Sequence, residues 1–505
     1  MTHSKKIFRN SLFSIFNKVM IIVLAFVTRK LFIDFLSAEL LGLNSLFADL
    51  LGLLNLADMG LGVAVQFQLY KPIADKDYEQ IARVLNAAKK LYNIIGVAMI
   101  IAGVVLSFFI QYLIRENPYE LNFLRIVFII NVASSASSYF FVHKRLYLQA
   151  SEDLHISYFI DTIVHIVGSV LRIVAIVAFK DYYLFVILTA VQAIVSNVIV
   201  AVYCDKRNPE IKKIKGYTKN EMSTLLSHIK QLIPNKISAY IFSNTDNTIL
   251  SAVLGLSAVT LFTNYNGVVL QLFTLAAMLS GIIRSSFGNV IQENSDKENH
   301  IFLLNGYQYL QFLYSSFCGV ALFCLIDDFV LLWYGEEFVA PFVFVILITF
   351  DFFLHSMYLP LSTMLEVLGE FKDLKRQEVF AMIVNLVVSV GFVFSFGIIG
   401  PILGTLVVDI FTTIFRIITV IRKNYREYLK VYVKKYLVYI AVFLSEYVGI
   451  FVLFKAINLP VNLATLLLKG VICTVVVLFA NLLIFRKTPE FGYIKDRFFD
   501  LIKRG

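Results

Sequence analysis

Fourteen apolar runs, each close to the roughly 20 residues a helix needs to cross the hydrocarbon core of a bilayer, leave this 505-residue chain one kind of solution. They cover 11–36, 40–66, 91–114, 121–142, 156–179, 183–204, 232–254, 258–283, 307–333, 341–365, 379–397, 399–421, 436–455 and 460–485, numbered spans 1 to 14. Every backbone N–H and C=O in lipid must be satisfied within the protein, so runs of this length predict an all-α integral membrane protein. Composition agrees: 59% of residues are apolar and 16% charged, against about 25% charged in soluble proteins. The first run is too long for a cleavable signal, lacks a small-residue cleavage site and contains Arg29 and Lys30. The four cysteines, Cys204, Cys318, Cys324 and Cys473, lie in or beside apolar runs without a CxxC pair. They read as buried hydrophobes, with no disulfide or metal site expected.

Lysine and arginine orient the spans. With the N-terminus inside, the inner loops and tails carry 34 of the 45 Lys and Arg residues, and the outer loops three: Arg115, Lys180 and Lys455. Both termini are therefore expected in the cytoplasm. The net charge of +10 is mostly this topology signal, holds the inner face against anionic lipid and needs no nucleic-acid partner. The outer loops are short, the longest being "YGEEFVA" at 334–340. No phosphate-binding G-x-x-x-x-G-K-[ST], no H-E-x-x-H and no Gly-rich dinucleotide loop occurs, which excludes self-contained ATP-driven transport. No cofactor is expected. A membrane polymerase of lipid-linked sugars would need a sizeable extramembrane region, and none is visible.

The longest inner loop, 205–231, is expected to separate an N-lobe (1–204, spans 1–6) from a C-lobe (232–421, spans 7–12). A basic loop and spans 13 and 14 follow at 422–485, and the tail 486–505 places Phe491, Ile494, Phe498 and Leu501 on one face of an interfacial amphipathic helix. A weak echo between "FLSAELLGLNSLF" (35–47) and "AVLGLSAVTLF" (252–262) suggests duplication. Two six-helix lobes facing a central cavity are a common way to build alternating access.

Polar residues inside the spans fall in helical phase. Span 5 aligns Asp161, His165, Gly168 and Arg172; span 2 aligns Asn44, Asn55, Gly62 and Gln66, with Asp58 at the edge. Span 1 aligns Ser14, Lys18, Ala25 and Arg29, and span 7 aligns Lys236, Tyr240, Ser243 and Asn247, with Asn244 and Asp246 beside them. Span 10 aligns Asp351, His355, Tyr358 and Ser362; span 12 aligns Thr405, Asp409, Thr412 and Arg416. A charged residue at a helix centre should face protein or water. One reading is hydrogen-bonded seams between helices, with Lys18, Lys236 and Arg416 snorkelling from the inner ends. The other is a hydrated central cavity, favoured by stripes spread along the whole chain. Gly60 and Gly62 would permit a bend or a close helix contact beside Asp58.

"RKLFIDFLSAELLGLNSLFADLLGLLNLADMGLGVAV" (29–65) followed by "QLYKPIADKDYEQIARVLN" (68–86) resembles the first spans and first inner loop of bacterial polysaccharide (Wzx-type) flippases. These belong to the multidrug/oligosaccharidyl-lipid/polysaccharide exporter superfamily. The resemblance implies a non-enzymatic transporter of the bacterial cytoplasmic membrane. It would move undecaprenyl-diphosphate-linked oligosaccharide from the inner to the outer leaflet, for capsule, exopolysaccharide or O-antigen assembly and alongside other polysaccharide-assembly proteins. The prenyl tail would stay in membrane lipid. Arg29 matches the family's basic residue late in span 1. Position and charge add Arg172, Lys236 and Arg284 as diphosphate partners and Asn55, Gln66 and Asn247 as polar contacts. Asp58, Asp161, His165 and Asp246 are candidates for ion coupling. A cation-coupled multidrug exporter has the same architecture, but its cargo would favour a carboxylate-rich cavity, whereas acids and bases are mixed here.

Overall fold

The computed structural model of the chain describes residues 20, 21, 23–55, 61–115, 117–151, 153–219, 221–226, 245–293, 296–457, 459–492 and 495. The described residues form helices and their connections, with no strand. Nine of the described helical stretches are long and apolar enough to cross a membrane, and one of them, Lys372–Arg422, holds two passes. Compactness divides the chain into Met1–Thr260 and Leu261–Gly505.

In the first unit, residues 23–35 are helical and Ser37 caps the Ala38–Leu54 helix by accepting from the Leu40 N–H at 3.2 Å. The span 3 helix, Tyr78–Ser107, starts well before its apolar run because Asp77 caps it, accepting from the Gln80 N–H at 2.9 Å. It packs on the span 4 helix, Leu121–Tyr139, which packs in turn on the span 6 helix, Tyr182–Arg207. Between spans 4 and 5, where a plain loop was expected, the chain forms the short helix Val142–Ala150. That helix seats against Leu61–Ala74, the span 5 helix Leu154–Val174 and span 6. The Asp246–Leu254 helix packs on Ala38–Leu54. A Cβ on Gly42 would lie 2.1 Å from the Leu256 carbonyl oxygen, so only glycine lets these backbones approach.

The described part of the inter-lobe loop, 205–219 and 221–226, is strapped to this unit. Asn86 Nδ2 donates to the carbonyls of Ile214 and Gly216 at 3.0 and 3.1 Å. Ile211 and Leu225 are buried with Leu85 and Tyr147.

In the second unit, the span 9 helix Lys297–Trp333 packs on helices Phe342–Met357, Leu429–Ile457 and Leu463–Phe485. Span 10 is not one helix. It breaks at Tyr358 and resumes as Leu359–Val367, because Pro360 has no N–H for the continuing ladder. Gly397 (φ 59°) and Pro401 likewise separate Phe371–Phe396 from Gly400–Ile417. Spans 5 and 12 each close on a five-residue π-helical stretch, Ala175–Phe179 and Ile418–Arg422.

Candidate substrate-handling site

The span 5 stripe resolves into three separate arrangements. Asp161 is held by a residue that sequence reasoning placed in a loop: Arg145 Nη1 and Nη2 each donate to one Asp161 oxygen at 2.8 Å. Arg145 also donates to Ser196 Oγ at 3.0 Å and to Asn197 Oδ1 at 3.1 Å, and the Ser196 hydroxyl donates to Asp161. This is a bidentate, fully bonded ion pair, and it neutralises Asp161 within the first unit.

One turn on, His165 Nδ1 lies 2.9 Å from Gln192 Nε2. Gly168 makes room for that glutamine, since a Cβ there would lie 2.1 Å from Gln192 Oε1. The next residue of the stripe, Arg172, donates from Nη2 to Ser169 Oγ at 2.9 Å and lies 6.0 Å from the Phe185 ring. Its Nε is buried without a hydrogen-bond partner, and it meets no carboxylate among the described residues.

Phe185 joins Arg172 to span 1. Its ring lies 5.0 Å from that of Phe32, which follows Arg29 by three residues and so shares its helix face. Arg29 is half-buried there.

The span 2 candidates separate. The Asn55 carboxamide oxygen accepts from Tyr139 at 2.9 Å and Ser135 at 3.2 Å, which fixes it to span 4. Gln66 is half-buried. Asp58 lies outside the described residues, as does Lys236. Gly62 is no forced contact, because a Cβ there would meet Leu146 at 3.4 Å and Tyr92 at 3.6 Å. Asn247 is hydrogen-bonded to Asp49, whose carboxylate lies in the field of Asp246. Asp49 therefore completes a carboxylate pair that the sequence reading missed, although an aspartate inside span 2 was a visible signal. Arg284 lies on the Leu256–Glu293 helix.

In the second unit the stripes of spans 10 and 12 meet. His355 Nδ1 lies 2.8 Å from Asp409 Oδ2, and the Tyr358 hydroxyl is 2.8 Å from His355 Nε2. The Arg416 guanidinium sits 4.1 Å from the Tyr358 ring centroid and is buried, not snorkelling. Glu446, also unflagged, is buried where Ser316 and Asn481 donate to its carboxyl group. The second unit also holds an apolar groove of about 640 Å³, walled by Val268 and Leu272 of span 8, Leu325 and Phe329 of span 9, and Leu467 and Val471 of span 14.

No protein-family model and no curated protein sequence matches the chain. Among solved structures it is similar to the lipid II flippase MurJ in an inward closed conformation, with a TM-score of 0.74 at 16% identity over 94% of this chain and 99% of that one. The chain has the fold of that transporter. It is also similar to an inward-facing multidrug resistance MATE family transporter of the MOP superfamily (TM-score 0.60, 17% identity, 80% of this chain and 96% of that one). A MOP superfamily transporter from Pyrococcus furiosus follows at 0.51, with 16% identity over 84% of this chain and 96% of that one. Identities this low carry the architecture and leave the cargo to the residues.

Proposed function

We propose that the protein is a flippase of the bacterial cytoplasmic membrane that moves undecaprenyl-diphosphate-linked oligosaccharide from the inner to the outer leaflet by alternating access. Spans 1–6 and 7–12 would act as its two lobes, with both termini cytoplasmic. The observation that carries this reading is Arg172. Asp161, its in-phase acid, belongs to Arg145, so Arg172 is a cation in a membrane span with no carboxylate to offset it among the described residues. Such a group is costly unless it serves a ligand, and a planar guanidinium suits the oxygens of a diphosphate.

Arg29, on the helix that Phe185 links to Arg172, supplies a second cation, with Lys236 and Arg284 as further candidates. Within the second unit, the apolar groove along span 14 is a surface fit for an apolar chain. Outward movement of a negative headgroup is helped by an inside-negative potential, by about 2.3 kcal/mol per charge per 100 mV. Coupling to an ion, if used, falls to Asp246 with Asp49, or to His165. Asp161 is the weaker candidate because its oxygens are already occupied.

Leaflet-resolved measurement of lipid-linked oligosaccharide tests the reading. Cells lacking the protein should accumulate it in the inner leaflet, and re-expression should restore its outer-leaflet pool. An unchanged distribution would remove the proposal.

A further inference from the structure

The span 3 helix carries a continuous uncovered stripe. Asn86, Lys89, Lys90, Asn93, Ile94, Val97, Ala98 and Ile101 line one shallow groove of about 600 Å³. The spacing of three and four residues puts all of them on one face. The stripe has a polarity gradient along its length. Its cytoplasmic end holds two exposed lysines, and its other end holds Ile94, Val97 and Ile101, exposed by 56%, 50% and 61%.

The lysine end is built rather than loose. Asn86 is pinned by the Ile214 and Gly216 carbonyls at 3.0 and 3.1 Å, and the Lys90 ammonium rests 5.4 Å from the Tyr217 ring centroid. The stretch at 214–217 therefore holds Asn86 and Lys90 in place at the head of the groove. From Lys89 to Ile101 a helix rises about 18 Å, close to one leaflet's hydrocarbon depth of about 15 Å plus the phosphate layer.

We infer that this stripe is a binding site for an anionic phospholipid of the inner leaflet, its phosphate at Lys89 and Lys90 and one acyl chain along Ile94, Val97 and Ile101. Charge complementarity selects the headgroup, and the apolar track makes the occupant a lipid. The site lies on a face separate from Arg172 and does not depend on what the protein transports.

The test is native mass spectrometry of the purified full-length protein, titrated with phosphatidylglycerol or phosphatidylethanolamine of matched acyl chains. Two lysines at the surface should favour the anionic lipid by about thirtyfold. The preference should vanish in Lys89→Gln/Lys90→Gln and persist in Lys372→Gln/Lys375→Gln, which neutralises an exposed pair elsewhere. A diazirine in the acyl chain should label peptides containing residues 94–101. Equal affinity for the two lipids would overturn the site, as would equal loss in both variants or labelling spread evenly over other exposed helix faces. Displacement of the lipid by an equal concentration of inorganic phosphate would also overturn it, because the chain track would then contribute nothing.

Discussion

Arg145 grips both oxygens of Asp161 at 2.8 Å, across a stretch of chain in which only one partner lies in a membrane span. Removing one member leaves the other charged and poorly solvated, at a cost of about 3–5 kcal/mol for a buried pair; about a fifth of each side chain is exposed, so the lower end applies. Arg145→Ala should lower the amount of folded protein in the membrane, and Arg145→Met with Asp161→Leu should recover most of it. Quantitative immunoblotting of membranes reads both. Normal abundance in the single variant would show that the pair is dispensable.

Arg172 predicts the opposite pattern. A hydrogen bond to a charged group contributes about 1.5–3 kcal/mol, so Arg172→Ala should reduce flipping roughly ten- to a hundredfold at normal abundance. Arg172→Lys should retain part of the activity, since it keeps the charge and loses the planar fork. Arg29→Ala should behave like Arg172→Ala. Low abundance with normal transport per molecule would assign Arg172 to structure.

His143 sets a pH dependence. It is buried on the Val142–Ala150 helix, outside the spans, and burial, then Lys144, then Lys89 push its pKa down to about 3, with Asp205 opposing them. The folded imidazole stays neutral, whereas the unfolded one takes a proton below about 6.5. Stability is thus fully present above that value and falls as pH drops from 6.5 towards 3, by up to about 1.4 kcal/mol per unit. Thermal unfolding of the purified protein at pH 7.5 and 5.5 should show the loss, and His143→Asn should shrink it. Equal pH slopes would refute the assignment.

Gly42 and Gly62 should respond differently to alanine. At Gly42 the new Cβ would meet the Leu256 backbone oxygen at 2.1 Å, and at Gly62 it would meet only side-chain atoms, Leu146 at 3.4 Å and Tyr92 at 3.6 Å. Gly42→Ala should cost about 1–3 kcal/mol, the usual range for overpacking. Gly62→Ala should be close to neutral. Melting temperatures of the two variants decide it, and equal values would contradict the close approach.

Topology has a direct check. Lys219 is exposed in the inter-lobe loop, so Lys219→Cys in a cysteine-free background should resist an impermeant thiol reagent in intact cells and react after permeabilisation. Labelling in intact cells would invert the orientation.

The passes were legible because lipid fixes how long an apolar run must be, and the polar stripes because helical phase fixes which side chains share a face. Pairing was not legible. Asp161 and Arg172 share a stripe, yet Asp161 turns to Arg145, whose helix is too short and too polar to register as a span. The span 10 stripe ran through Tyr358 to Ser362 as if the helix were continuous, although Pro360 marked the break. Asp49 and Glu446 were readable as acids within apolar runs. They fell outside the phase-matched sets because their partners, Asn247, Ser316 and Asn481, come from other helices.

The π-helical stretches at Ala175–Phe179 and Ile418–Arg422 begin three and two residues after Arg172 and Arg416. A π-turn holds one residue more than the α-turn it replaces, so each works as an insertion already absorbed by the backbone. Deleting a single residue there should heal into ordinary α-helix instead of breaking the span. Everything downstream would keep its facing and depth, because the restored α-turn covers nearly the same rotation and rise with one residue fewer. At these two places the chain carries a spare residue, and it could lose one without changing which way the following segment faces.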